Sequence, residues 1–148
     1  MTQGPDTRVT ERTAPHWQAM ARSQLLVQHC ARCRIHVHFP LPLCPECGGA
    51  LIYREVGGRG TIATFTLISK TTVPGFEDGP FAVGWVDLIE EDGLRLFGFI
   101  ETRNMARLRI GMPVVASFRP AGEARLLLFR PDPRHAEPFE DRSALNKE

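Results

Sequence analysis

Several absences narrow what this 148-residue chain can be. No uncharged apolar run is long enough to span a bilayer, and the polar opening "MTQGPDTRVTERTAP" lacks the apolar stretch of a secretory signal, so a cytoplasmic protein is expected. Neither sign of charge dominates: 18 Lys plus Arg stand against 17 Asp plus Glu. Residues 61–131 carry zero formal charge, which argues against a strong polyanion binder. No internal repeat is visible. The glycine-rich, strand-to-helix motifs of hydrolases and dinucleotide enzymes are missing, as are those of kinases. Ser69, Ser117 and Asp87 occur in or beside apolar runs without a paired histidine, and His135 lies in the C-terminal tail. These read as ordinary polar groups, and the chain is expected not to be an enzyme.

Cysteine is scarce and confined. All four thiols fall in "HCARCRIHVHFPLPLCPECGG", residues 29–49, as the pairs Cys30/Cys33 and Cys44/Cys47. A reducing compartment disfavours structural disulfides and makes metal binding or redox chemistry the readings to weigh. A redox CxxC belongs at a helix N-terminus in a βαβ setting, which neither pair has. Two CxxC knuckles suit one tetrahedral Zn2+, and four protein sulfurs leave no open position for a substrate. A ribbon of this size buries too little apolar area to hold itself, so the ion is expected to be structural. Iron is the second candidate, since it accepts the same ligand set. His29, His36 and His38 are available as substitute ligands but are not needed; they are expected at the surface of the ribbon strands.

Around this window the composition changes in recognisable steps. A flexible N-terminus is expected over residues 1–14 and a helix plus metal ribbon over 15–52. An OB-type domain is expected over 53–131 and a flexible acidic tail over 132–148. In "TAPHWQAMARSQ", Thr13 is the expected N-cap and Pro15 lies in the first turn, with Trp17, Met20 and Ala21 on one face. "LLVQH" then leads as a strand into the first knuckle. Five strands are predicted beyond Tyr53, at 61–69, 81–89, 94–100, 113–120 and 125–131, with a crossing segment after the third. The fold class is therefore mainly β, with a short helix and a zinc ribbon before a five-stranded Greek-key barrel; a split sandwich would leave a similar signature.

Phe81, Val83 and Trp85 alternate along one strand, and Phe97 and Phe99 along another, so at least one set is expected to fill the barrel. "EED" at 90–92 reads as a solvated hairpin turn. "TTVPGFEDGP", residues 71–80, reads as a loop with Phe76 at its tip, able to close over an acyl group or dock on a partner. Lys70, Arg119, Arg125 and Arg130 are cations on or beside barrel strands that a phosphate could use.

The order "W…LLVQHCARC…FPLPLCPECGG…GRGTIATFT…IGMPVVASF" resembles the acyl-CoA-associated zinc-ribbon and OB-fold proteins, a domain-of-unknown-function family found alongside thiolase-fold enzymes. The resemblance runs from about Pro15 to Pro131. It implies a rubredoxin-like ribbon with zinc on Cys30, Cys33, Cys44 and Cys47, followed by an OB barrel. It also implies an accessory role beside a thiolase, a lipid-transfer-type aldolase or an enoyl-CoA hydratase, helping to house an acyl-CoA in lipid, steroid or polyketide metabolism. Phe76 and Lys70 are the expected acyl-CoA or partner contacts. One departure is Arg34, where such ribbons often have glycine. The rival reading is a single-stranded nucleic-acid binder, a role that zinc ribbons and OB folds also serve.

Overall fold

The computed structural model describes residues 8–70, 80–122 and 124–135. One helix, α1 (Ala14–Ala21), precedes a three-stranded antiparallel sheet of β1 (Leu26–Cys30), β2 (Ile35–Val37) and β3 (Ile52–Glu55), in the order β2-β1-β3. Five further strands follow: β4 (Arg59–Ile68), β5 (Phe81–Leu88), β6 (Arg95–Ile100), β7 (Pro113–Ala121) and β8 (Ala124–Pro131). They form a closed barrel in the order β4-β5-β6-β8-β7, with β4 returning to pair β7. Every barrel pairing is antiparallel except β6 with β8, where Phe99 faces Leu128 and Ile100 faces Phe129. The segment between β6 and β7 holds a single 3-10 turn, Met105–Arg107, whose Ala106 N–H donates to the Asn104 side chain at 3.0 Å. This is the OB arrangement anticipated from the strand pattern.

Pro15 opens α1 at its first turn, but Thr13 does not cap it with its side chain. The Thr13 hydroxyl turns back to Thr10 instead, in a local hydrogen-bonded turn. The helix buries Ala19 and Met20, while Ala21 is exposed, so the inward face is rotated by one position from the expected one. Tyr53 donates its hydroxyl to the Arg12 carbonyl at 2.9 Å, tying the residues before the helix to β3.

Inside the barrel, Ile62, Val86, Leu96, Ile100, Val114 and Phe129 pack together. Leu25, Val27 and Val56 extend that cluster toward the ribbon. The aromatic rows do not fill this interior. On β5 the core-facing residues are Ala82, Val86 and Leu88, and period two sends Phe81 and Trp85 to the opposite face. Trp85 pairs Phe97 and Val83 pairs Phe99 across to β6, which places Phe97 and Phe99 outside as well. Phe129 is fully buried in this small barrel and Phe65 and Phe118 pack half-buried against the same cluster, while Trp85, Phe97 and Phe99 line a groove beside α1 and the ribbon.

At the junction of ribbon and barrel, Gly58 adopts φ +70° and sits so close to β7 that a Cβ there would clash with the Ala116 Cβ. Beyond β8, Asp132 is buried, accepts from Arg59 at 2.9 Å and from the Arg134 N–H at 2.9 Å, and so anchors the start of the acidic tail. Its carboxyl is held below the usual range, first by the Arg134 N–H and then, against burial, by Arg59. Residues 136–148 lie outside the described residues. Among those described, no helix is long and apolar enough to cross a membrane.

Candidate metal centre and apolar groove

Two backbone knuckles build the sulfur cage. In the first, β1 ends at Cys30, the Cys33 N–H donates to the Cys30 sulfur at 3.4 Å, and the Arg34 N–H donates to the Cys30 carbonyl at 2.7 Å. In the second, the Gly48 N–H donates to the Cys44 carbonyl at 2.9 Å. Both turns close through a left-handed residue, Arg34 at φ 59° and Gly48 at φ 67°. Arg34 therefore does a glycine's work at a conformational cost of roughly 1–2 kcal/mol.

The four Sγ atoms all lie within 4.8 Å of one another. Cys30 and Cys47 are 3.6 Å apart, and Cys33 and Cys44 4.0 Å. A tetrahedral ion with bonds of about 2.3 Å needs sulfurs about 3.8 Å apart, so the cage fits one. Donation from the Cys33 N–H brings the Cys30 thiol down to about 7 despite burial. Contact with Cys47, then burial, pushes the Cys33 thiol up to about 12. Thiols this close cannot all lose their protons against one another, and a dication removes the conflict by taking all four as thiolates.

None of the three nearby histidines joins this sulfur cluster, and they are not the surface groups expected. His29 is buried, its Nδ1 has no hydrogen-bond partner among the described residues, and burial followed by Arg54 lowers its pKa. Its ring meets His36 edge-on at 4.9 Å. The His36 backbone N–H and Nδ1 both reach Glu91 Oε2, at 2.8 and 2.7 Å. Glu90 accepts from the Gly57 N–H. The turn expected to be merely solvated is thus the clasp between barrel and ribbon, because the ribbon packs over the β5–β6 hairpin.

A second feature is an apolar groove of about 540 Å3 between three elements. The helix supplies His16, Trp17 and Met20, the ribbon segment after β2 supplies His38, Phe39 and Pro40, and the barrel's outer face supplies Trp85, Phe97, Phe99 and Leu126. Phe39 meets Trp85 edge-on at 6.1 Å, and Trp85 meets Phe97 at 5.2 Å. His16 Nδ1 lies 3.0 Å from the Leu26 carbonyl, which can only accept, so that nitrogen carries the proton. Burial, and then His16, brings His38 down to about 4, leaving it neutral at ordinary pH. Sequence reasoning noticed most of these aromatics and assigned them to the core; the helix and ribbon residues that meet them were not legible as partners.

The cations singled out from sequence do not converge. Lys70 is exposed at the end of β4, and Arg125 donates to the Ser23 hydroxyl at 2.8 Å. Arg130 lines a separate polar groove of about 710 Å3 with Arg103, Arg107 and Arg109. Phe76 and most of its loop lie outside the described residues. Asp87 is bridged by Arg95 at 2.7 Å.

Residues 17–51 match the ChsH2 rubredoxin-like zinc ribbon domain, and residues 53–119 match the ChsH2 C-terminal OB-fold domain. A probable enoyl-CoA hydratase alpha subunit of Thermomonospora curvata is 32% identical over 129 residues, 86% of this chain and 40% of that protein. The 3-oxo-4,17-pregnadiene-20-carboxyl-CoA hydratase alpha subunit of Mycobacterium tuberculosis is 31% identical over 121 residues, 81% of this chain and 38% of that protein. The chain thus spans about two fifths of the length of these curated relatives. Among solved structures, a chain of the Ltp2-ChsH2(DUF35) aldolase superposes with a TM-score of 0.77 at 31% identity, covering 85% of this chain and 98% of that one. A DUF35 protein of unknown function from Sulfolobus solfataricus shares the fold at a TM-score of 0.58 and 12% identity, covering 84% and 87%. With both of its domains matched in order and the aldolase-complex chain covered almost end to end, this protein belongs to the ChsH2 (DUF35) family of rubredoxin-like zinc ribbon and OB-fold proteins.

Proposed function

We propose that this chain is a non-catalytic accessory subunit that binds a thiolase-fold, lipid-transfer-type aldolase, or an enoyl-CoA hydratase, and helps accommodate its acyl-CoA substrate. The observation that carries this reading is the likeness, along 98% of its length, to the ChsH2(DUF35) chain of an aldolase complex. The hydratase alternative draws on the names of the two curated relatives. Steroid metabolism is the first setting to test, since one of those names specifies a pregnadiene acyl-CoA.

Zinc is the ion this reading assigns to Cys30, Cys33, Cys44 and Cys47. Bound there, it would hold the two knuckles in register and, with its coordination filled by sulfur, supply no Lewis-acid site. What the chain's own residues contribute is shape. The Glu91–His36 clasp orients the ribbon on the barrel, and the two together present α1 and the groove to a partner.

Capture from native lysate on the tagged chain tests the assignment. A thiolase-fold or hydratase subunit should co-purify in stoichiometric amount; recovery of the chain alone would overturn the reading. Elemental analysis of the same material should find one zinc per chain, and one iron instead would reassign the ion.

The arginine-lined groove favours a second reading, a single-stranded nucleic-acid binder. Nucleic-acid OB domains combine cations with stacking aromatics in one groove, whereas here the exposed rings line a different groove from the arginines. Tight, salt-sensitive binding of single-stranded DNA in a fluorescence titration would favour this reading over the first.

A further inference from the structure

We infer that the groove between α1, the ribbon and the barrel's outer face is a ligand site for the apolar ring system or chain of an acyl thioester. The inference rests on the functional reading above and deepens it by locating the acyl group on this chain.

Shape comes first. The groove's volume, about 540 Å3, lies within the roughly 300–1,000 Å3 of small-molecule sites and suffices for a fused ring system. Its walls come from three separate elements: Trp17 of the helix, Phe39 of the ribbon, and Trp85 with Phe97 of the barrel. Phe39 and Phe97 remain 62% and 47% exposed, so rings that a ligand would cover are left facing solvent.

Polarity selects the ligand class. Among the described residues, no carboxylate, lysine or arginine lines the groove. Its polar side chains are Thr13, His16 and His38; the Nδ1 proton of His16 is committed to the Leu26 carbonyl, and His38 is uncharged at ordinary pH. A phosphate finds no lysine or arginine among the described lining residues, whereas an uncharged apolar group finds a wall of rings.

Direction follows from the β6–β8 seam. Phe97, Phe99 and Glu101 follow one another at period two, the first two lining the apolar groove and the third the arginine-lined one. On β8, which runs parallel to β6, Leu126 lines the apolar groove and Arg130 the polar one. An amphiphile laid along this seam would keep its apolar part between the rings and its anionic end toward Arg103, Arg107 and Arg130. An acyl-CoA has that character.

Both tryptophans of the chain, Trp17 and Trp85, line the groove, so intrinsic fluorescence reports its occupation directly. The full chain, zinc-loaded, is titrated with progesterone, a 3-oxo-4-ene steroid, and separately with dodecanoyl-CoA. A saturable change in tryptophan emission is expected with at least one of them. Phe97→Asp, which places a charge among the rings at an already exposed position, should weaken that binding at least tenfold while leaving the far-ultraviolet circular dichroism and the metal content unchanged. Should Phe97→Asp fail to fold, Phe97→Ser makes the same comparison, with at least a threefold loss expected. No saturable change with either probe, or unaltered affinity in the folded Phe97 variant, overturns the inference. Partner capture is scored separately: a partner recovered by a chain that binds neither probe sinks this inference alone. Probe binding by a chain that captures no partner sinks the functional reading alone.

Discussion

In the ribbon, three strands of three to five residues converge on four sulfurs, while in the barrel five strands of six to ten residues close around a continuous aliphatic interior. The ribbon's own apolar contribution is small, and Val27 reaches past it into the barrel's cluster. One region is thus organised by a point, the metal cage, and the other by a volume. Between them the junction is polar and specific, through His36 and Glu91, and apolar and aromatic, through the groove. The difference teaches that each region should fail by its own route, and that only the junction should feel both.

The largest expected effect is on the cage. Cys44→Ala removes one of the four sulfurs of a cage in which a structural zinc would contribute on the order of 10–16 kcal/mol. Metal content should fall close to zero and amide protection in β1 and β2 should be lost, while the barrel amides stay protected in hydrogen exchange. Collapse of both regions together would erase the distinction.

Next comes the barrel. Phe129→Ala deletes the largest fully buried side chain among the described residues and should cost about 3–5 kcal/mol in urea unfolding. Metal binding to the sulfur cage should persist under native conditions; its loss would mean the ribbon cannot hold its cage without an intact barrel.

A smaller effect belongs to the junction. His38 is neutral in the folded chain down to about pH 4, whereas in the unfolded chain it takes up a proton below about 6.5. Between those values the unfolded state binds more protons, so stability should fall as pH is lowered from 6.5 to about 4. The loss should be roughly 2 kcal/mol, discounted from the full shift for the ring's partial exposure. His38→Gln should flatten this part of the stability profile, and a profile identical to that of the unsubstituted chain would place the pH dependence elsewhere.

Least of all, Arg34→Gly should stabilise the metal-loaded ribbon by up to about 1 kcal/mol, by relieving the left-handed backbone at φ 59°. Loss of metal affinity in this variant would show that the arginine side chain, and not its backbone, supports the first knuckle.

The cage was readable because its signal is local. CxxC spacing puts two sulfurs on one turn whatever surrounds it, and the strands from 61 onward announce themselves through β-branched and aromatic residues bounded by glycine turns. The helix was readable from Pro15, but not its cap, since Thr13 had Thr10 as a competing partner. Alternation along β5 and β6 correctly put Phe81, Val83 and Trp85 on one face and Phe97 with Phe99 on one face. It could not say which face was the inside, because a row of rings looks alike whether it fills a barrel or meets a neighbouring element.

From the amino-acid sequence alone came the metal ligand pattern, the order of the barrel strands and the mainly β fold class, all properties of spacing between near neighbours. Only the tertiary structure decided that the aromatics turn outward, that Glu91 clasps His36 across 55 positions of chain, and that α1, the ribbon and the barrel enclose a groove. Those outcomes depend on which surfaces meet after folding, and no local period carries that information.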